Sequence, residues 1–301
     1  MINFEKITFM KRSIFVKSMI GFAAIGGLTS ALKLKDILAE EDYTYPVLFI
    51  GHGSPMNGIE DNNFSQQWKA QVKDLPTPKA VIVISAHWLT RGTFITAMEQ
   101  PRTIHDFGGF PEALFAVEYP APGSPTLAQA TKELITSTTV ELDHEWGLDH
   151  GTWTVVRHMY PEANVPVLQL SIDYNQSAAY HYALAQELRS LRKKGVLLIG
   201  SGNMVHNLGL VDFANISTPN YGFDWAIEAR DTFNKLLLNK DYQSLISYEK
   251  LGKSVQLAIP TPDHYYPLIY SLGLSTETEE IQLFNDEMVG GSLNMTSVQF
   301  G

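Results

Sequence analysis

The chain alternates between short runs of consecutive apolar residues and longer segments with apolar residues at helical spacing. Apolar runs bounded by turn residues are typical of strands that are covered on both faces of a sheet. This pattern predicts five strands, over Val47–Ile50, Ala80–Ser85, Thr93–Met98, Val165–Ile172 and Val196–Gly200.

Helices are predicted between these strands. The segment Ala178–Lys194 has leucines at helical spacing, and Gly195 directly after it suits a C-terminal cap. Similar spacing predicts helices over Pro125–Ile135 and Trp225–Asn239. Because strands alternate with helices, and because no linker or repeat interrupts the chain after residue 45, we predict an α/β fold with a single domain.

Three of the predicted strands are followed closely by a histidine. His52 lies between two glycines after the first strand, His87 follows the second, and His206 follows the last. Ligands of open α/β sheets bind at the carboxyl ends of the strands, and imidazole is a common ligand of zinc and iron. We therefore expect His52 and His87 to bind a metal ion, while His206 suits either metal binding or acid–base catalysis.

Three further histidines lie in turns rich in glycine, proline or aromatic residues. His264 falls between Pro262 and Pro267, which predicts a turn just before a short helix. His150 precedes a glycine, so we expect it in a tight turn with either a structural or a functional role. His105 lies in a loop rich in glycine and phenylalanine and is a candidate substrate contact. No site role is assigned to His144, His158 and His181.

The composition narrows the kind of partner. The chain of 301 residues has 32 acidic and 22 basic side chains, a net charge of -10 and no cluster of lysine or arginine, which argues against nucleic acid or an anionic membrane surface. The expected partner is a small molecule. Because the chain has no cysteine, a metal ion must be held by His, Asp or Glu.

Residues 1–44 differ from the rest and are predicted to be an N-terminal extension that precedes a catalytic domain over residues 45–301. Lys11 and Arg12 come before the small and apolar run Met19–Leu28, and small residues follow it. This order is typical of a signal peptide and loosely resembles a twin-arginine signal. We expect export to the periplasm, with a retained extension on a cytoplasmic protein as the alternative. No segment is long and apolar enough for a stable membrane span.

Several motifs occur together in a specific order along the domain. They resemble the DODA-type extradiol aromatic ring-opening dioxygenases, which include the 4,5-DOPA dioxygenases and are related to the class III, LigB-like enzymes. The resemblance covers residues 45–301. The motifs are Gly51-His-Gly-Ser-Pro-Met-Asn57, Ser85-Ala-His-Trp88, His105-Asp-Phe-Gly-Gly-Phe-Pro111, Asp149-His-Gly-Thr-Trp153, Ser201-Gly-Asn-Met-Val-His-Asn207 and Thr261-Pro-Asp-His264.

The resemblance implies a LigB-like three-layer α/β/α domain around a central mixed sheet. It implies extradiol cleavage of a catechol such as L-DOPA with O2, and Fe(II) for activity at a site that Zn(II) can also occupy. The implied metal residues are His52, His87, His206 and His264. The implied catalytic residues are His150 and His206, and the implied substrate contacts are Ser54, His105 and Trp153.

Two alternatives stay open at this point. An all-histidine site suits zinc as well as iron, so a zinc-dependent hydrolase on the same scaffold is one. The other is a non-catalytic protein that binds a metal or a small ligand. Compared with the two-histidine, one-carboxylate set of most non-haem iron oxygenases, an all-histidine set is expected to leave the site about one charge more positive.

Overall fold

The computed structural model describes residues 39–301. Within this range eight strands form one mixed sheet, with the order β4-β3-β5-β2-β6-β1-β10-β7, and β8 pairs with β9 in a small hairpin. The central strands β5, β2, β6 and β1 are parallel, whereas β10 and β7 at one end are antiparallel. The strands are β1 Val47–Gly51, β2 Ala80–Thr90, β3 Thr93–Thr96, β4 Val140–Asp143, β5 Val167–Asp173, β6 Val196–Gly202, β7 Ile281–Phe284, β8 Met288–Val289, β9 Leu293–Asn294 and β10 Ser297–Phe300.

Helices connect the strands, and several short 3-10 turns lie between them. The α-helices are α1 Asn63–Val72, α2 Glu112–Phe115, α3 Pro125–Leu134, α4 His150–Met159, α5 Ala178–Glu187, α6 Asp224–Leu238, α7 Tyr242–Ile246, α8 Lys253–Ala258 and α9 Tyr266–Leu274.

The core lies on both faces of the sheet. Successive residues of a strand point to opposite faces, so Val47 and its neighbour Leu48 belong to two different buried clusters. The cluster around Val47 includes residues of α3, α5, α6 and α9, and the cluster around Leu48 includes Trp68 of α1 and Trp153 of α4. Helices therefore cover both faces, which confirms the expected three-layer α/β/α arrangement around a mixed sheet.

The predicted strands and helices are all present, with some changed boundaries. The predicted helix over Ala178–Lys194 is divided, since α5 ends at Glu187 and a 3-10 turn follows. This turn ends at Gly195 with a φ of 84°, the left-handed conformation that a glycine cap supplies. The expectation of a tight turn at His150 is wrong, because Asp149 accepts a hydrogen bond from Thr152 N and starts α4 at His150.

The predicted signal sequence lies outside the described residues, so the export assignment and the boundary near residue 45 remain predictions. No helix within residues 39–301 is both long and apolar enough to cross a bilayer.

Candidate metal centre and active site

The site lies where the carboxyl ends of β1, β2 and β6 meet. These strands are neighbours in the sheet, so His52 after β1 and His87 near the end of β2 are brought together. His264 arrives on the loop before α9, and its carbonyl accepts a hydrogen bond from Asn203 N at 2.9 Å. This approach requires Gly202, because a Cβ there would lie 2.2 Å from the His264 carbonyl oxygen.

His52, His87 and His264 form a compact group in which one ligand atom of each lies within 4.8 Å of the others. The Nε2 atoms of His52 and His87 are 3.1 Å apart. Nitrogen ligands 2.0–2.1 Å from a tetrahedral zinc ion are separated by about 3.4 Å, so this spacing is close to that of a shared metal ion.

Nδ1 of each of these three rings lies within 3.2 Å of an oxygen atom. The Ser201 hydroxyl donates to the Gly151 carbonyl at 2.5 Å, so its oxygen accepts from Nδ1 of His52, 3.0 Å away. Nδ1 of His264 donates to Asp263 at 2.5 Å. Nδ1 of His87 lies 3.2 Å from Oδ2 of Asp106. A proton held on Nδ1 leaves the Nε2 lone pair free, which is the form of histidine that binds a metal ion.

The charge state of the group also suits metal binding. Burial, followed by the neighbouring imidazoles, lowers the pKa of His52 and His87 well below the usual value, and it lowers the pKa of His264 to about 4. The rings are therefore neutral near pH 7. Although burial raises it, contact with His264 lowers the pKa of Asp263 to about 2, so this carboxylate is ionised.

His206 lies beside the group rather than within it. Its ring stacks on that of His264, with a centroid separation of 3.4 Å, and its ligand atoms group with Asp263 and His264 instead of with His52 and His87. Burial lowers the pKa of His206 to about 4, so the ring is neutral near pH 7. This position suits a group that accepts a proton next to the metal site.

The ring of His150 packs against that of His87, with their ring centroids 3.9 Å apart. Its Nδ1 is 3.0 Å from Oδ1 of Asp106, without the alignment of a hydrogen bond, and its backbone N–H donates to the same oxygen at 2.9 Å. Behind these residues, the buried Asp149 accepts hydrogen bonds from Ser85 at 2.7 Å and from Gln169 at 2.6 Å.

A cavity of about 510 Å³ opens above the histidines. Its floor is polar and its wall is apolar, which is the usual construction of a site for a small organic ligand. The side chains of Leu208 and Phe213 at its rim are 61% and 74% exposed. The floor is formed by His52, His87, Asp106, His150, His206 and His264, and the wall includes Phe107, Phe110, Leu208, Val211, Phe213, Ile216 and Leu293.

The three predicted substrate contacts lie in different environments. Ser54 lines the cavity and caps the following 3-10 turn by accepting from Met56 N at 3.2 Å. Trp153 is fully buried and lies outside the cavity lining, where its Nε1 donates to the Ile104 carbonyl at 2.9 Å. His105 also lies outside the lining, and its Nε2 is 2.9 Å from the Val117 carbonyl oxygen. The structure therefore connects Trp153 and His105 to the loop that carries Asp106.

Three residues of the site were missed by the sequence analysis: Asp106, Ser201 and Asp263. Each lies inside a quoted motif and contacts the Nδ1 atom of a metal-site histidine. Histidine ligands usually have an oxygen partner on the second ring nitrogen. The position of these three oxygen-bearing residues in the same motifs was therefore the signal that could have identified them.

Comparisons with known proteins give one consistent family. Residues 46–290 match the family described as "Catalytic LigB subunit of aromatic ring-opening dioxygenase". The chain is 46% identical to the Escherichia coli K12 protein named "4,5-DOPA dioxygenase extradiol", over 89% of this chain and 98% of that protein. It is 35% identical to the Beta vulgaris protein of the same name, over 87% and 99% of the two chains.

A solved structure supports the same assignment. The crystal structure of an uncharacterized protein from Escherichia coli K12 matches with a TM-score of 0.73 and 41% identity, covering 85% of this chain and all of that one. The enzymes of the LigB family depend on a metal ion and use a small aromatic substrate with O2. The family match and the named relatives favour a dioxygenase over the two alternatives, a zinc-dependent hydrolase and a non-catalytic binding protein. The chain therefore belongs to the LigB family of aromatic ring-opening dioxygenases and is an extradiol ring-cleaving enzyme.

Proposed function

We propose that this enzyme cleaves a catechol with a polar side arm, such as L-DOPA, at the bond beside one of its hydroxyl groups. Both atoms of O2 enter the product, which is a ring-opened semialdehyde. The observation that carries the proposal is the group of three histidines, His52, His87 and His264, at the polar floor of a cavity whose wall is apolar.

We propose Fe(II) as the active metal, with Zn(II) able to bind at the same residues. Three neutral histidines with free Nε2 atoms fit either ion. Bound Fe(II) would supply Lewis acidity toward the catechol oxygens and the redox chemistry that activates O2, which Zn(II) does not have. His52, His87 and His264 would hold the ion, and His206 is better placed beside it, next to His264.

The remaining side chains bind the ring and move protons. Phe107 and Phe110 would pack against the catechol and exclude water from the histidines below. His150 and His206 lie in the cavity floor and would accept the hydroxyl protons of the catechol.

The polar side arm of the substrate would lie in a second cavity beside the first. This second cavity, of about 520 Å³, shares Gly53, Ser54, Ile216 and Leu293 with the first and therefore borders it. Its lining includes the carboxylates of Glu60 and Glu287 together with amide and hydroxyl side chains. Carboxylates there would favour an arm that carries an ammonium group, which supports an aminated catechol such as L-DOPA.

The test is turnover by protein loaded with one metal at a time. Protein reconstituted anaerobically with Fe(II) and then mixed with air and L-DOPA, dopamine or 4-methylcatechol is expected to consume O2 and to form a yellow ring-opened product. The Zn(II)-loaded protein is the matched control and is expected to consume none. If the Fe(II) form consumes no O2 with any of the three, the proposed function is wrong.

A further inference from the structure

The carboxylate of Asp106 lies between two histidines that are assigned different tasks. Its Oδ2 is 3.2 Å from Nδ1 of His87, and its Oδ1 is 3.0 Å from Nδ1 of His150. The backbone N–H of His150 donates to Oδ1 at 2.9 Å, which fixes the carboxylate to the first turn of α4. The side chain of Asp106 is 19% exposed, so solvent competes little for its oxygens.

The loop that carries Asp106 is itself held in place. Ile104 N donates to Leu148 O at 2.7 Å, and Leu148 N donates to Arg102 O at 2.8 Å, so the loop is tied to the segment just before α4. The indole of Trp153 donates to Ile104 O. The position of the Asp106 carboxylate is therefore set by backbone hydrogen bonds that join its loop to the segment before α4.

We infer that Asp106 is a positioning residue that orients the metal ligand His87 and the acid–base residue His150 together. Within residues 39–301 the other two ligands have oxygen partners of their own, Ser201 for His52 and Asp263 for His264. Asp106 differs because one carboxylate serves two rings. The role of His87 as a metal ligand rests on the geometry of the metal site. The role of His150 in acid–base catalysis rests on the proposed function.

The need for a carboxylate follows from its two equivalent acceptors. In Asp106→Asn one oxygen is replaced by an NH2 group, which donates and cannot accept. The backbone N–H of His150 keeps the amide oxygen on its own side, so the NH2 group faces Nδ1 of His87. A donor there favours the tautomer with the proton on Nε2, and this nitrogen then has no free lone pair for the metal ion. His150 in turn loses the negative charge beside Nδ1.

The experiment uses three single variants, Asp106→Asn, Asp263→Asn and His150→Ala. It also uses two double variants, in which His150→Ala is combined with Asp106→Asn or with Asp263→Asn. Zn(II) affinity is measured by chelator competition, and kcat is measured with L-DOPA and Fe(II) and expressed per bound iron. Circular dichroism and the Tm of each variant show that it is folded. Asp106→Ser, which removes the carboxylate without adding an NH2 donor, is a second test at the same position.

We expect Asp106→Asn and Asp263→Asn each to weaken Zn(II) binding by about 10- to 100-fold, the usual cost of losing an outer partner of a histidine ligand. We expect Asp106→Asn to lower kcat per bound iron at least tenfold, and His150→Ala to lower it by about 100-fold or more. Because Asp106 acts through His150, the double variant should be no slower than His150→Ala within about threefold. Combining Asp263→Asn with His150→Ala should instead multiply their effects.

Three results would overturn the inference: unchanged Zn(II) affinity in folded Asp106→Asn, unchanged kcat per bound iron, or multiplied losses in the double variant. A structural role alone would give multiplied losses. The same comparison of single and double variants can be made without O2 chemistry. The quantity measured is then the ionisation of 4-nitrocatechol bound to the Zn(II) protein, read from its visible spectrum. If the parent enzyme turns over no catechol, the proposed function fails, whereas the Zn(II) and 4-nitrocatechol measurements still decide the role of Asp106.

Discussion

The hydroxyl of Ser201, at the end of β6, links the sheet to the metal-site residue His52. It donates to the Gly151 carbonyl at 2.5 Å and accepts from Nδ1 of His52 at 3.0 Å, and all of these atoms are buried. Ser201→Ala removes both bonds. The ring of His52 then has no acceptor that holds the proton on Nδ1.

Two separate losses follow, and their sizes can be worked out. A buried polar group left without its hydrogen bond costs about 1–3 kcal/mol, so the apo protein should lose stability in this range or somewhat more. Loss of one hydrogen bond of about 1 kcal/mol to the metal-binding tautomer reduces its preference by roughly fivefold to tenfold. The expected drop in Zn(II) affinity is therefore about tenfold, at the lower end of the usual range for such partners.

Urea unfolding of the apo protein and chelator competition with Zn(II) measure the two losses. Ser271→Ala is a matched control, because Ser271 is equally buried but donates to the Pro267 carbonyl of its own helix at 3.0 Å and has no hydrogen bond to a histidine within residues 39–301. We expect this control to lose stability without losing Zn(II) affinity. If Ser201→Ala binds Zn(II) as tightly as the parent, the claim that Ser201 selects the tautomer of His52 is refuted.

Four further predictions follow from the same structure. His52→Ala should lose most of its bound metal whereas His150→Ala should retain metal and lose turnover, as measured by metal content and O2 uptake; a metal-free His150→Ala protein would place His150 among the ligands. Burial lowers the pKa of His181 from 6.5 to about 4, so the unfolded chain binds the proton more tightly and apo stability falls as the pH drops from 6.5 towards 4. His181→Gln should flatten this slope by up to about 1.4 kcal/mol per pH unit in urea unfolding, and an unchanged slope would contradict the assignment. Glu287→Gln should raise KM for L-DOPA several-fold and leave 4-methylcatechol unaffected, and equal effects on both would remove the side-arm assignment. Intact mass of protein from its native host should show a chain that begins near Leu32, and a soluble cytoplasmic species that begins at Met1 would defeat the export prediction.

The sequence predicted the parts of the fold that depend on local pattern. Buried parallel strands are continuous apolar runs, so β1 and β6 were found within two residues of their ends. The short strands at the carboxyl terminus were missed, because β10 joins the sheet by pairing with β1, which is distant in the chain, and β7 joins it only through β10. His150 was placed in a turn because a glycine follows it, although the cap at Asp149 makes that glycine part of a helix.

The sequence predicted the histidines of the site but not the residues that contact their Nδ1 atoms. A histidine that follows a buried strand is visible in the sequence, because both the strand and its end are local features. Its partner on Nδ1 is not, since Ser201 and His52 are 149 residues apart and meet only through the pairing of β1 with β6. The same reason hides the contact of Asp106 with His87 and His150, which requires the loop after β3 to reach the ends of β2 and α4.

These hidden partners change the electrostatic expectation for the site. An all-histidine ligand set is expected to leave the centre about one charge more positive than a set that contains a carboxylate. In this fold Asp263 contacts His264 and Asp106 contacts His87, and contact with histidine, against the opposing effect of burial, lowers the pKa of both carboxyls to about 2. Two negative charges therefore lie directly behind the neutral histidines, where they would balance the charge of a bound divalent ion. In the proposed function these carboxylates would supply their charge through the histidine rings, and positions on the metal would stay available to the catechol and O2.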